Sequence, residues 1–351
     1  MKRIKNFSLV FLITSFLFLI LDFLIGERFL KKIGLIYLEE LIRVSNDQYE
    51  YSFEKNLNVD YAVWGNQYYK LCTDNRGFKF NCFDEEKKTY EIAIIGDSFT
   101  EGIGLPFEKT FVGMLKSKKN LDLVNLGVAS YSPHIYLKKI KYLISNKIIK
   151  FNHIIVAVDL SDLEDDWIRS SKLKKNINEK KNLRFELKEK IKKKLIYNLP
   201  ITYIILKKIN WFVKINLKNQ LNANHLEYKN NRASWSYDLN YKNLNEKLKI
   251  HIKKMTETYN YLKDNNIKFS ILIYPHQVSI KYDKKNSLYR KTWEEFCINK
   301  CINFIDAYTV FFDELNHSSK EEIMKKYYIP GDPHFNEEGN KKIYEILNLY
   351  L

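Results

Sequence analysis

Two hydrophobic patterns divide the chain. From Phe7 to Ile25 every residue is apolar except Ser8, Thr14, Ser15 and Asp22. At 1.5 Å per helical residue this run reaches about 29 Å, enough to cross the hydrocarbon core of a membrane. From Glu91 onward, short apolar runs alternate with amphipathic segments. Ile92-Ala93-Ile94-Ile95, Leu121-Asp122-Leu123-Val124, Ile154-Ile155-Val156-Ala157-Val158 and Phe269-Ser270-Ile271-Leu272-Ile273 read as buried strands, and 108–118, 133–147 and 244–264 as helices. That alternation predicts an α/β domain, a parallel sheet covered by helices on both faces.

Two stretches fit neither pattern. Residues 26–90 are aromatic and mixed, without a clear period, and are expected to form a juxtamembrane stalk packed on the main domain. Residues from about 165 to 243 are rich in Lys and Asn and read as an insertion. Within it, the apolar run Leu195 to Leu206 carries Pro200 and is too short to span a bilayer. An extra helical hairpin over the sheet is the expectation there; a membrane-surface segment or a lid are the alternatives.

Charge orients the first pattern. Lys2, Arg3 and Lys5 precede the apolar run and, by the positive-inside tendency, stay in the cytoplasm as a tip over 1–6. The expectation is a transmembrane anchor over 7–25 in the inner (plasma) membrane, with the rest of the chain periplasmic or otherwise extracytoplasmic. A cleaved signal peptide is the rival reading, but no small-x-small site follows the run. Lys plus Arg exceed Asp plus Glu by 58 to 42, yet the lysines are interleaved along the chain with Asn, Ile and Tyr rather than gathered into a stripe. No nucleic-acid partner is expected, since an exported domain would not meet one.

An exported chain with four cysteines can form two disulfides. Cys72 and Cys82 bracket a loop that a bridge would staple. Cys297 and Cys301 are four apart, and a bridge there would be strained if one helix ran through both. No histidine stands at zinc-site spacing beside either pair, so no metal is expected, and nothing calls for a cofactor.

The candidate chemistry lies in two motifs. Ile94-Ile95-Gly96-Asp97-Ser98-Phe99-Thr100-Glu101-Gly102 is a buried strand ending in a turn that presents a serine. A serine there can hold its hydroxyl in a cleft and aim its own N–H at an oxyanion, although a helix N-cap has the same look. Near the end of the chain, Gly331-Asp332-Pro333-His334-Phe335-Asn336 offers an imidazole with a carboxylate two residues away. A hydroxyl is a weak nucleophile until a base takes its proton, and an imidazole serves best when a carboxylate fixes its tautomer. A capping histidine before the final helix is the plainer alternative.

Together these motifs resemble the SGNH/GDSL hydrolase superfamily, whose first block is Gly-Asp-Ser-x-Thr and whose last block carries Asp and His. The resemblance runs over 91–351 and leaves the anchor, stalk and insertion uncovered. It implies a three-layer flavodoxin-like domain with Ser98 as nucleophile, His334 as base and Asp332 as its orienting carboxylate. The single residue between Asp332 and His334 is similar to the subgroup related to alginate O-acetyltransferases. The family's second block places an oxyanion-binding glycine after the next strand, which implies Gly127. Its third block, normally Gly-x-Asn-Asp, stands here as Asp159-Leu160-Ser161-Asp162, so that Ser161 takes the asparagine's place as an oxyanion donor. An ionised Asp159 would oppose a developing oxyanion. Asp162, Glu164, Asp165 and Asp166 read either as a site for a cation or basic group, or as a solvated helix start.

The expected function is serine-dependent ester hydrolysis on O-acyl groups of an envelope glycan or related ester. O-acyl transfer at the same site, with a polysaccharide-assembly membrane partner, and a non-catalytic glycan-binding subunit are the alternatives.

Overall fold

A computed structural model describes residues 2–32, 37–38, 42–64, 67–119, 121–175, 191, 194–196, 198–206, 208–209 and 232–351. The chain divides into two compact units, 1–36 with 175–230 and 37–174 with 231–351.

In the first unit, α1 (Lys2–Lys32) is one continuous helix, longer than the expected 7–25 anchor. Its stretch Leu9–Leu30 is long and apolar enough to cross a membrane. Residues 200–206 and 208–209 are also helical. Of the rest of the expected insertion, 176–190, 192–193, 197, 207 and 210–231 lie outside the described residues.

The second unit is built on five parallel strands: β7 (Thr89–Ile95), β8 (Leu123–Asn125), β9 (Lys150–Val158), β10 (Lys268–Ile273) and β11 (Phe304–Asp306). Their order across the sheet is β11-β10-β9-β7-β8. That is the flavodoxin-like order, with the reversal of winding between β7 and β9. Residues 154–158 and 92–95 are buried on both faces, which is why they run apolar without alternation. Helices α3 (Phe111–Lys119), α4 (Pro133–Ser145), α5 (Asp162–Lys175), α6 (Leu244–Asp264), α8 (Leu288–Cys297) and α11 (Glu337–Leu347) complete the layers, with short helices α2 (Ser98–Glu101), α7 (Gln277–Tyr282), α9 (Ala307–Asp313) and α10 (Lys320–Tyr327) at the loops.

The stalk expectation is corrected by what precedes β7. Residues 37–80 hold six strands and belong to the same unit as the parallel sheet. β1 (Tyr37–Leu38), β4 (Asn58–Trp64), β5 (Gln67–Thr73) and β6 (Lys79–Phe80) form one sheet, and β2 (Arg43–Asn46) pairs with β3 (Glu50–Phe53). A register shift between Val59 and Ala62 breaks the alternation of β4, so the segment has no legible period. The insertion is also shorter than expected, because α5 and residues 232–243 fall in this unit.

Both disulfides are formed, Cys72–Cys82 and Cys297–Cys301. The second is compatible with its spacing because α8 stops at Cys297 and the chain turns through Asn299 at φ 60°.

Candidate active site

The carboxyl ends of the strands converge on one edge, and the turn after β7 carries the serine. Gly96 allows this turn: a Cβ there would fall 2.1 Å from Thr100 Oγ1 and 2.7 Å from the Ala157 carbonyl oxygen. Asp97 caps α2 by accepting from the Phe99 N–H at 3.0 Å, which leaves Ser98 as the first helical residue. Its N–H is thereby one of the donors a helix start leaves free of intrahelical partners.

The second motif sits on a loop between α10 and α11, closed by a bridge between Tyr328 and Phe335. Gly331, at φ 74°, turns the chain so that Asp332 and His334 face the same way. Ser98 Oγ lies 2.7 Å from His334 Nε2, and His334 Nδ1 lies 2.5 Å from Asp332 Oδ1. The His334 N–H also donates to Asp332 Oδ1 at 3.0 Å. Serine, imidazole and carboxylate thus stand in the order that nucleophilic catalysis requires. Both Ser98 and His334 are buried.

A residue that sequence reading did not single out completes this line. Trp64, at the end of β4, donates its indole N–H to Asp332 Oδ2 at 2.9 Å and meets the His334 ring edge-on at 5.4 Å between centroids. Burial pushes the Asp332 carboxyl up. The hydrogen bonds and charge of His334, with the Trp64 donor, outweigh it and hold the group below the usual carboxylate range. Asp332 therefore stays ionised and able to orient the Nδ1–H.

A second buried carboxylate beside the serine is shifted in the opposite direction. Ser98 Oγ lies 3.2 Å from Asp97 Oδ2, and the Tyr274 hydroxyl donates to Asp97 Oδ1 at 3.3 Å. Burial, then repulsion from Asp159, raises the Asp97 carboxyl well above its ordinary value, against the bonds from Phe99, Ser98 and Tyr274.

The oxyanion side departs from expectation. Gly127 is needed sterically, since a Cβ there would lie 2.7 Å from Thr100 Cβ. Its N–H, however, already donates to Asn125 Oδ1 at 2.9 Å, while Asn125 Nδ2 donates to the Thr100 carbonyl at 2.8 Å. The expected donor is spent on shaping its own turn. Ser161 follows β9, and its N–H donates to Asp159 Oδ1 at 2.7 Å. Among the described residues no hydrogen bond joins the Ser161 hydroxyl to Ser98 or His334. Asp159 is buried, and its Oδ2 has no hydrogen-bond partner among the described residues.

The backbone around Asp159 is clamped from behind. Tyr289 donates its hydroxyl to the Val158 carbonyl at 2.6 Å, and Trp235 its indole N–H to the Leu160 carbonyl at 2.7 Å. The two rings pack edge to face at 5.8 Å. His276, just beyond β10, lies against Phe99 at 5.9 Å, and its titration is lowered by burial foremost, with Asp159 opposing. Its place at the carboxyl end of a strand was the available signal.

The acidic cluster is neither a solvated helix start nor an open cation site. Asp166 lies 2.7 Å from His251 Nδ1 and accepts from the Ser132 hydroxyl. Asp165 pairs with Arg232, Glu164 with Lys247 at 2.5 Å, and Asp162 accepts from the Tyr136 hydroxyl at 2.9 Å. These carboxylates bind the elements around α5 to one another. No group of His, Cys, Asp and Glu suited to a metal occurs among the described residues.

No family model matches this chain, and no curated protein does. Solved structures do resemble it. One, described as a lipolytic protein of the G-D-S-L family from Desulfitobacterium hafniense, is 14% identical with a TM-score of 0.41, covering 76% of this chain and 100% of that one. The psychrotrophic esterase EstA from Pseudoalteromonas sp. is 11% identical with a TM-score of 0.38, covering 75% and 95%. A catalytic mutant of the acetylxylan esterase Axe2 from Geobacillus stearothermophilus is 10% identical with a TM-score of 0.40, covering 74% and 92%. The fold class stands on the strand order of the chain itself.

Proposed function

We propose that the chain is a serine-dependent ester hydrolase of the SGNH/GDSL type, acting outside the cytoplasm on O-acyl groups of an envelope glycan or a related ester. The observation that carries this reading is the line from Ser98 Oγ through His334 to Asp332, with separations of 2.7 and 2.5 Å. His334 Nε2 takes the hydroxyl proton as Oγ bonds to the ester carbonyl carbon, and the carbonyl electron pair moves to oxygen. Asp332 holds the Nδ1–H while the ring is charged. Collapse expels the alcohol, which receives the proton from His334, and leaves an acyl-serine. Water then repeats the sequence and releases the acid. The oxyanion faces the Ser98 N–H, and Gly127 joins only by exchanging Asn125 Oδ1 for the oxyanion.

Support for an extracytoplasmic setting comes from the basic residues before the apolar helix and from two disulfides, which suit an oxidising compartment. An envelope glycan is the ester-bearing polymer that a membrane-tethered domain on that side meets. A sugar hydroxyl in place of water makes the same site an O-acyltransferase, and a membrane protein of polysaccharide assembly would then supply the acyl donor. The engaged Gly127 amide and the Asp159 oxygen, unpartnered among the described residues, favour a second reading, a glycan-binding subunit without turnover.

The test is hydrolysis of p-nitrophenyl acetate by the full chain in detergent, wild type beside Ser98→Ala, with and without an oligosaccharide acceptor. Turnover that depends on Ser98 is the expected result, and acetyl transfer to the sugar would make the enzyme a transferase. Glycan binding without Ser98-dependent turnover would establish the subunit instead.

A further inference from the structure

Asp22 is the one ionisable residue of the apolar run from Phe7 to Ile25. A carboxylate at that depth is costly unless it is partnered. Its partners lie far along the chain. Asp22 Oδ1 accepts from the Ile201 N–H at 3.0 Å, and Oδ2 accepts from the Thr202 N–H at 2.7 Å and the Thr202 hydroxyl at 2.6 Å. Pro200 has no N–H, so the next two backbone donors of this helical start are the ones satisfied. In a hydrocarbon setting such donors would otherwise go unmet. The carboxylate and the helix start therefore each remove the other's penalty.

The packing agrees. Asp22, Gly26 and Leu30, at fourfold spacing on one face of α1, are buried, while Leu21, Phe23, Leu24 and Ile25 are exposed. A Cβ on Gly26 would fall 3.3 Å from Pro200 Cγ, so the glycine admits the proline ring. Ile196 and Pro200 are buried, whereas Ile205, Leu206 and Ile209 are 44%, 49% and 54% exposed, with Lys194 and Lys208 exposed at either end. Apolar side chains turned outward beside a helix of membrane-spanning length, flanked by lysines that can reach a phosphate surface, suit lipid rather than water.

We propose that residues 195–196, 198–206 and 208–209 belong to a second membrane-contacting element, seated in the bilayer against α1 through the Asp22 cap. The proposal rests on reading α1 as an uncleaved anchor, and Asp22 supports that reading, since cleavage after the apolar run would remove the partner of Ile201 and Thr202.

The experiment places a polarity-sensitive fluorophore on a cysteine at Ile205, Ile209 or the fully exposed Leu239. The full chain is reconstituted in phosphatidylcholine–phosphatidylglycerol vesicles, and quenching by lipid-borne nitroxide is compared with quenching by iodide. Residues 205 and 209 should be quenched from the lipid and 239 from the water. Asp22→Leu should shift 205 and 209 toward iodide, by roughly 2- to 30-fold in the docking equilibrium as for loss of a helix cap, and Asp22→Asn by less. Equal iodide quenching at 205, 209 and 239 in a chain that resists alkaline extraction would overturn the proposal and leave the anchor standing. Release of the chain by alkali would overturn both.

Discussion

The parallel sheet and the strands that precede it play different parts at the same site. The sheet carries the candidate nucleophile: β7 ends before the turn that presents Ser98, and β9 ends at Val158, just before Asp159. The earlier strands carry none of the candidate triad and instead hold the loops that do. Trp64 holds Asp332. Arg43 pairs at 2.7 Å with Glu101, whose carboxylate also accepts from the Ala129 N–H in the turn beyond Gly127. The buried Lys79 ammonium donates to the carbonyls of Gly102 and Leu105. The candidate site is placed by one region and steadied by the other, which is why much of a segment that reads as a stalk belongs to the same compact unit as the parallel sheet.

The largest expected effect is on the sheet side. Ser98→Ala should lower ester turnover about 10⁶-fold, by analogy with loss of the serine in subtilisin, with the melting temperature little changed. Next comes the steadying side. Arg43→Met strands the Glu101 carboxylate, which is 1% exposed, and should destabilise the fold by about 3–5 kcal/mol in urea unfolding. An unchanged midpoint would mean that these strands are a stalk after all. Trp64→Phe keeps the ring and removes the donor, so kcat should fall about tenfold, the order expected for one hydrogen bond to a charged group, with KM nearly constant. A rise in KM alone would assign Trp64 to substrate rather than to Asp332.

The smallest effect is one of pH. Lys139 lies among Tyr49, Phe78 and Tyr131 and donates to the Leu126 carbonyl at 2.9 Å. Burial pushes its ammonium down to about 7, against the attraction of Asp74 and Glu101. The folded state thus binds fewer protons than the unfolded state between pH 7 and the ordinary lysine value of about 10.4, and stability should climb with pH over that interval. In Lys139→Met the climb should be shallower, as read from melting temperatures at pH 7 and 9.5.

The same contrast explains what could be read from the chain. Residues such as Ile92–Ile95 and Ile154–Val158 sit in strands buried on both faces, so their apolar runs announce them. Ser98, Asp332 and His334 could be singled out as candidates because each motif keeps its members within a few residues. Trp64 was not, because its partner lies 268 positions away and the β4 bulge hides the alternation around it. The engagement of Gly127 by Asn125 was equally hidden: a glycine after a strand looks the same whether its N–H is free or used.

The separation between Trp64 and Asp332 has a consequence in time. The carboxylate that would orient the base is synthesised 268 residues after its indole partner. Contacts of such range form late, after the intervening chain has condensed. Under the proposed function, a chain not yet extended through Asp332 and His334 would hold its serine idle, and ester cleavage would begin only once that loop had met β4.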